Sequence, residues 1–169
     1  MLLLLFQIGA DRYALDTSSV LEIVPRVTLR RVPGATPGLA GLLEYHGAAV
    51  PVLDLRELVS GQPAASMFST RLVLVRAPLS PAADGRPPVM GLLVERATGT
   101  IQRRRTDFVE THLRVPGAPY LGPVIPDAEG FIQFVEIDGL LGPSVRAMLG
   151  GGRQETRPPE TVFLEGAWS

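Results

Sequence analysis

The chain opens on an apolar run, Leu2-Leu3-Leu4-Leu5-Phe6-Gln7-Ile8, bounded by Gly9-Ala10-Asp11. A run this short between turn-forming residues predicts a buried strand. Arg12-Tyr13-Ala14-Leu15-Asp16 then alternates polar and apolar, as a strand with one buried face does. Thr17 or Ser18 is placed to cap a brief helical turn through Val20, Leu21 and Glu22, stopped by Pro25. Residues 27–32 alternate again, as a short strand, until Pro33-Gly34 opens a loop that runs to Gly38. Residues 39–45 and 48–55 predict a hairpin around His46-Gly47, and residues 55–59 one helical turn ended by Gly61 and Pro63.

The second half repeats the pattern. Strands are expected over 70–76, 89–96, 100–104, 120–125 and 131–137, with a Pro-rich loop over 78–88 and a turn over 126–130. Ser144 is placed to cap a short helix through Val145, Ala147, Met148 and Leu149, stopped by Gly150-Gly151-Gly152. Eight to ten short strands at this spacing mean barrels or a sandwich. Residues 52–58 (Val-Leu-Asp-Leu-Arg-Glu-Leu) resemble residues 134–140 (Phe-Val-Glu-Ile-Asp-Gly-Leu), each an apolar strand with one acid followed by a leucine-bearing turn. Such a weak duplication fits two similar small barrels. Residues 150–169 break the composition: a Gly-rich, Pro-containing linker with little to bury, ending in Val162-Phe163-Leu164-Glu165-Gly166-Ala167-Trp168. That end either packs back on the domain, frays, or serves as a docking peptide.

Composition agrees with short strands. Gly (18) and Pro (16) together make up 34 of 169 residues, about one in five against roughly one in eight ordinarily. That load argues against a helical bundle. There is no Cys, which excludes disulfides, thiolate metal sites and a thiol nucleophile. A net charge of −1 argues against bulk electrostatic binding to nucleic acid or anionic membrane. The opening apolar run lacks a preceding basic residue and a cleavage site, and is too short to span a bilayer, so a cytoplasmic protein is expected.

Catalytic chemistry is sparse. The two histidines, His46 and His112, have no metal-ligand spacing with each other or with Asp54. No nucleophile elbow, phosphate-binding loop or dinucleotide fingerprint is present, so no catalytic residue, metal or cofactor is expected. All 16 basic residues are Arg, and Arg103-Arg104-Arg105, with Arg114 downstream, is the one basic cluster. It reads as a solvated strand end, as a contact for an acidic partner, or as the core of a small nucleic-acid-binding barrel. The last would ordinarily need aromatic platforms, and Phe108 alone lies close in sequence.

Several stretches together resemble the CheW-like adaptor family. These are residues 6–16, Val20-Leu21-Glu22-Ile23-Val24, residues 32–41 with Pro33, Pro37 and Gly41, and Gly47 to Arg56 with Pro51-Val52-Leu53-Asp54-Leu55-Arg56. Later strands over 71–75, 90–95 and 131–137 fall where that family has strands. The resemblance covers residues 1–149. It implies an all-β fold of two five-stranded SH3-like barrels packed together, with short helical turns and a short C-terminal helix. The barrel boundary is expected near 60–70 and residues 150–169 as a flexible tail.

The resemblance further implies a non-catalytic adaptor that couples a chemoreceptor's cytoplasmic tip to the regulatory domain of a CheA-type histidine kinase, with no nucleic-acid partner and no insertion into membrane. Val20, Glu22 and Gly41 match positions tied to coupling, as does Gly91, and the hairpin face around Val50 and Val52 matches the kinase-contacting region. One departure matters. Where the family has Asn-Leu-Arg-Gly, this chain has Glu44-Tyr45-His46-Gly47. The family Arg pairs with the acid matched by Glu22, so His46 is expected to face Glu22 in a weaker, pH-dependent contact. The variant also suggests a specialised array, such as a Wsp-like surface-sensing pathway.

Overall fold

The structure, a computed structural model, describes residues 1–65, 68–81 and 83–150. Its nine strands run β1 (Leu2–Ile8), β2 (Asp11–Asp16), β3 (Val20–Pro25), β4 (Leu39–Tyr45), β5 (Ala48–Asp54), β6 (Arg71–Arg76), β7 (Val89–Gln102), β8 (Leu121–Asp127) and β9 (Gly130–Val135). Helix α1 (Leu55–Ser60) follows β5, and α2 (Pro143–Gly150) ends the described chain.

Pairing sorts the strands into two five-stranded groups that share β7. Barrel A is ordered β7-β1-β2-β9-β8. Barrel B is ordered β3-β6-β7-β5-β4. Both follow one plan. In each, a hairpin (β4–β5 or β8–β9) lies parallel to a central strand through its second member, Val52 opposite Gly91 and Arg12 opposite Ile132. In each, the segment leaving the first strand bridges the hairpin, Arg30 to Leu42 and Val109 to Val124. The resembling stretches 52–58 and 134–140 therefore occupy equivalent places, β5 running into α1 and β9 into a 3₁₀ turn at Ile137–Leu140.

The barrels differ in how the chain supplies them. Barrel B is built from consecutive segments, but barrel A takes β1 and β2 from one end of the chain and β8 and β9 from the other. The expected division near 60–70 lies between α1 and β6, with barrel B strands on both sides. The chain instead passes between barrels at Thr17–Ser19 and within β7.

The opening apolar run now has a cause. Leu3 faces the interior of barrel A with Ala14, Ile125 and Ile132, while Leu4 and Phe6 face the other way, into the core between the barrels. In β6, Leu72 and Leu74 line barrel B while Val73 and Val75 face that same inter-barrel core. A strand buried on both faces has no polar positions to alternate.

Four expectations are corrected. Val20–Pro25 is a strand, because pairing with β6 satisfies its backbone and its Val and Ile side chains suit a pleat. The helical turn is only Thr17–Ser19, where the Asp16 carboxylate accepts the Ser18 N–H at 2.9 Å. Residues 27–32 form no strand beyond the single Arg30–Leu42 bridge. The two strands expected over 89–104 are one, β7, bent where Arg96 takes a left-handed φ of 46°. Helix α2 starts at Pro143, ahead of Ser144, where a missing N–H costs nothing. The tail expected from residue 150 onward lies outside the described residues, apart from Gly150 at the end of α2.

Candidate functional site

β3 and β4 are the two edges of the barrel B sheet, and the coupling-position acid sits on that seam. Val24 packs on the barrel interior, so alternation turns Glu22 toward the same side and Leu21 and Ile23 outward. Tyr45, at the end of β4, lays its ring against the barrel interior, and its hydroxyl donates to Glu22 Oε2 at 2.8 Å. The bond to Glu22 raises the phenol pKa above its ordinary value, since ionisation would destroy the donor, and burial and the carboxylate charge push the same way.

This corrects the expected Glu22–His46 contact. His46 is exposed, holds φ at 48° in the turn after β4, and sets its ring edge-on to Tyr45, with centroids 4.2 Å apart. No ion pair joins His46 to Glu22 among the described residues; the Tyr45 hydroxyl is the group that reaches the carboxylate. The pH-dependence expected of the pair goes with it, because a tyrosine donor stays protonated across neutral pH.

The remaining expected site residues divide by burial. Val20 is half-buried at the margin of the inter-barrel core. Val50 and Val52 are buried inside barrel B, so the hairpin face expected to contact a kinase is core and presents neither side chain. Gly41 has φ 151°, and a Cβ there would stand 2.6 Å from the Arg30 carbonyl oxygen, so Gly41 is what lets the Arg30–Leu42 bridge form. Gly91 is needed for close approach: a Cβ would meet Val52 Cγ2 at 2.9 Å and Leu72 Cδ1 at 3.0 Å. Both glycines shape barrel B from within.

Sequence reasoning missed the exposed residues of the same strand. Leu21 and Ile23 are 41% and 45% exposed, flanking Glu22 on an edge strand. Reading residues 20–25 as a strand would have exposed the signal, two apolar side chains on one face with no partner strand beside them.

The Asp54-Leu55-Arg56 motif is structural. Asp54 Oδ1 accepts the Arg56 and Glu57 N–H groups and caps α1, while Oδ2 accepts the Ala64 N–H at 2.7 Å. Arg56 Nη1 pairs with buried Glu95 at 2.9 Å, and Glu95 also accepts the Ala65 N–H. These buried acids are thus fully engaged and unavailable as an acid–base couple. Among the described residues, no three His, Cys, Asp or Glu side chains gather as a metal site would require. No helix among them is long and apolar enough to cross a membrane.

The arginine cluster is partly committed. Arg104 pairs with Asp107, and Arg103 donates from Nη1 to the Gln102 carbonyl while its own backbone bonds the chain's first residue. Leu2, Phe131 and Val109 are exposed apolar side chains elsewhere on barrel A. Two hollows mark the surface. A cleft of about 1380 Å³ opens at the end of barrel B, walled by residues 25–35. A notch of about 390 Å³ lies beside Ser19, between Asp16 and Phe134–Asp138.

Comparison with known proteins gives a consistent result. The family described as CheW-like domain matches residues 2–143, across both barrels. A Bacillus subtilis protein named "Chemotaxis protein CheW" is 26% identical over 73 residues, 43% of this chain and 47% of that protein. A Helicobacter pylori protein of the same name is 26% identical over 103 residues, 61% of this chain and 58% of that one. The chain thus spans about half to three-fifths of these curated relatives. The crystal structure of the scaffolding protein TtCheW from Thermoanaerobacter tengcongensis superposes with a TM-score of 0.69 at 18% identity, covering 85% of this chain and 89% of that one.

Proposed function

The chain belongs to the CheW-like domain family, and from that premise we propose that it is a non-catalytic adaptor joining a chemoreceptor's cytoplasmic tip to the regulatory domain of a CheA-type histidine kinase. The observation that carries the reading is the family match across both barrels. On this reading the protein works on the cytoplasmic side, held at receptor arrays through its partners.

The surface divides between the partners as follows. The kinase's regulatory domain docks on barrel B, over Leu21, Glu22, Ile23 and the turn at His46. The receptor's helical hairpin lies in the groove between barrels, at Val20, as an ordinary helix-in-groove contact. Gly41, Gly91, Val50 and Val52 act on both contacts indirectly, by fixing the shape of barrel B. The Glu44-Tyr45-His46 variant supports a receptor–kinase system of its own, for instance a Wsp-like surface-sensing pathway.

The test is co-purification with the regulatory domain of a CheA-type histidine kinase from the same organism. Leu21→Asp with Ile23→Asp should weaken capture by about a hundredfold, as loss of central apolar contacts does. Neutralising Arg103, Arg104 and Arg105 should leave capture unchanged. Salt-sensitive nucleic-acid binding lost in that triple variant, with no kinase capture, would sink the adaptor reading.

A further inference from the structure

We propose that the cleft at the end of barrel B is a docking site for the chain's own residues 160–165, Glu160-Thr161-Val162-Phe163-Leu164-Glu165. The proposal is independent of the adaptor reading.

The cleft has the right chemistry. Its wall carries apolar Val27, Leu29 and Val32, and Val27 is 42% exposed. Its rim carries Arg26, Arg31 and Arg71. Neither Arg26 nor Arg31 has an acidic partner within ion-pair distance among the described residues. Arg71 spends its Nη1 on the Phe68 and Thr70 carbonyls, which leaves its charge uncompensated. The same wall carries two acids: Asp54, which is buried and fully bonded, and Glu57, in the first turn of α1, which offsets one of the three cations. The cleft therefore sets a short apolar strip, Val27, Leu29 and Val32, beneath a cationic rim in a lining that is otherwise largely polar.

Residues 160–165 are the complement: three large apolar residues in a row, closed at each end by a glutamate. The segment lies outside the described residues. Helix α2 ends at Gly150, and its Leu149 and the cleft-lining Leu39 both pack against the inter-barrel core. Nine residues, 151–159, separate the segment from the end of α2, a stretch whose extended length is about 30 Å. A tether of this length holds the segment at roughly millimolar effective concentration, so weak intrinsic affinity suffices.

The chain has no cysteine, so a pair introduced into the full-length protein reports contact without background. Val27→Cys with Phe163→Cys should form an intrachain disulfide under mild oxidation about tenfold faster than Ala128→Cys with Phe163→Cys, whose first member lies on the barrel A hairpin. Adding Arg26→Glu and Arg31→Glu should return the first pair to the control rate, and these exposed changes leave the core intact. Equal rates in the two pairs would overturn the proposal. So would a disulfide linking two chains, which would make the occupant a second copy, or a fast rate indifferent to the arginine reversals.

Discussion

Barrels A and B share one strand plan and are held together differently. Barrel A unites strands from opposite ends of the chain, and it carries the strongest ion pair among the described residues. Arg12, on β2, donates through both terminal nitrogens to Asp127 at the β8–β9 turn, at 2.5 and 2.7 Å, with Glu129 3.2 Å from the same guanidinium. Phe108 adds an edge-on contact with Phe134. Barrel B, built from consecutive segments, places its buried charge at the α1 junction, and among the described residues its seam carries the Arg30–Leu42 bridge and the exposed Tyr45–Glu22 bond, with no ion pair. The clamp lies where loop closure is most expensive, and the contiguous barrel manages without one. The lightly fastened seam is also the one flanked by exposed Leu21 and Ile23.

Core truncation tests first whether the barrels stand or fall together. Leu72→Ala and Leu3→Ala empty the two interiors and should each cost about 2–5 kcal/mol in urea unfolding. Because the inter-barrel core is continuous, each variant should still unfold in a single transition; separate transitions would show independent barrels. Gly41→Ala should cost about 2–3 kcal/mol, through the forced φ and the clash with the Arg30 carbonyl. Hydrogen exchange should place its damage at the Arg30–Leu42 bridge and spare barrel A.

The clamp comes next. Arg12 holds the Asp127 carboxyl at about 2, against an ordinary 3.8. Its folded pKa is depressed, so its contribution is full above pH 4 and fades as pH falls toward 2, by about 1–2 kcal/mol after allowing for partial exposure. Arg12→Met should flatten that limb of the stability–pH curve and loosen β2 from β9 in hydrogen exchange. Tyr45→Phe should have the smallest effect, because the ring stays in the core and only the exposed bond to Glu22 is lost. If it lowered the melting temperature as much as Arg12→Met, the contrast between the two seams would collapse.

Much of this architecture was legible in the residues. The opening Leu run, the hairpin around His46-Gly47 and the helical turn over 55–59 each rest on local chemistry, and local chemistry is what a sequence displays. The resemblance of 52–58 to 134–140 marked a real equivalence. What stayed hidden depends on pairing over distance. Ala97-Thr98-Gly99 looks like a break between strands, yet β7 runs through it because each half finds a different barrel. The choice of Tyr45 over His46 as partner to Glu22 turns on which residue precedes the chain reversal, a one-residue matter of register. Val50 and Val52 were expected at a contact face because the resemblance matched that apolar hairpin to one, and an apolar face in sequence does not show whether solvent or a second layer covers it.

The split origin of barrel A also sets a timetable for synthesis. β1 leaves the ribosome ahead of the rest of the described fold, yet its partner residues Gly99 to Gln102 emerge only after all of barrel B has been made. Barrel B can close behind the exit tunnel while the leucine-rich first hairpin waits, its apolar faces uncovered, for β8 and β9. Slow translation through residues 103–120 would lengthen that exposure, making the nascent chain's first strand the segment most in need of a chaperone.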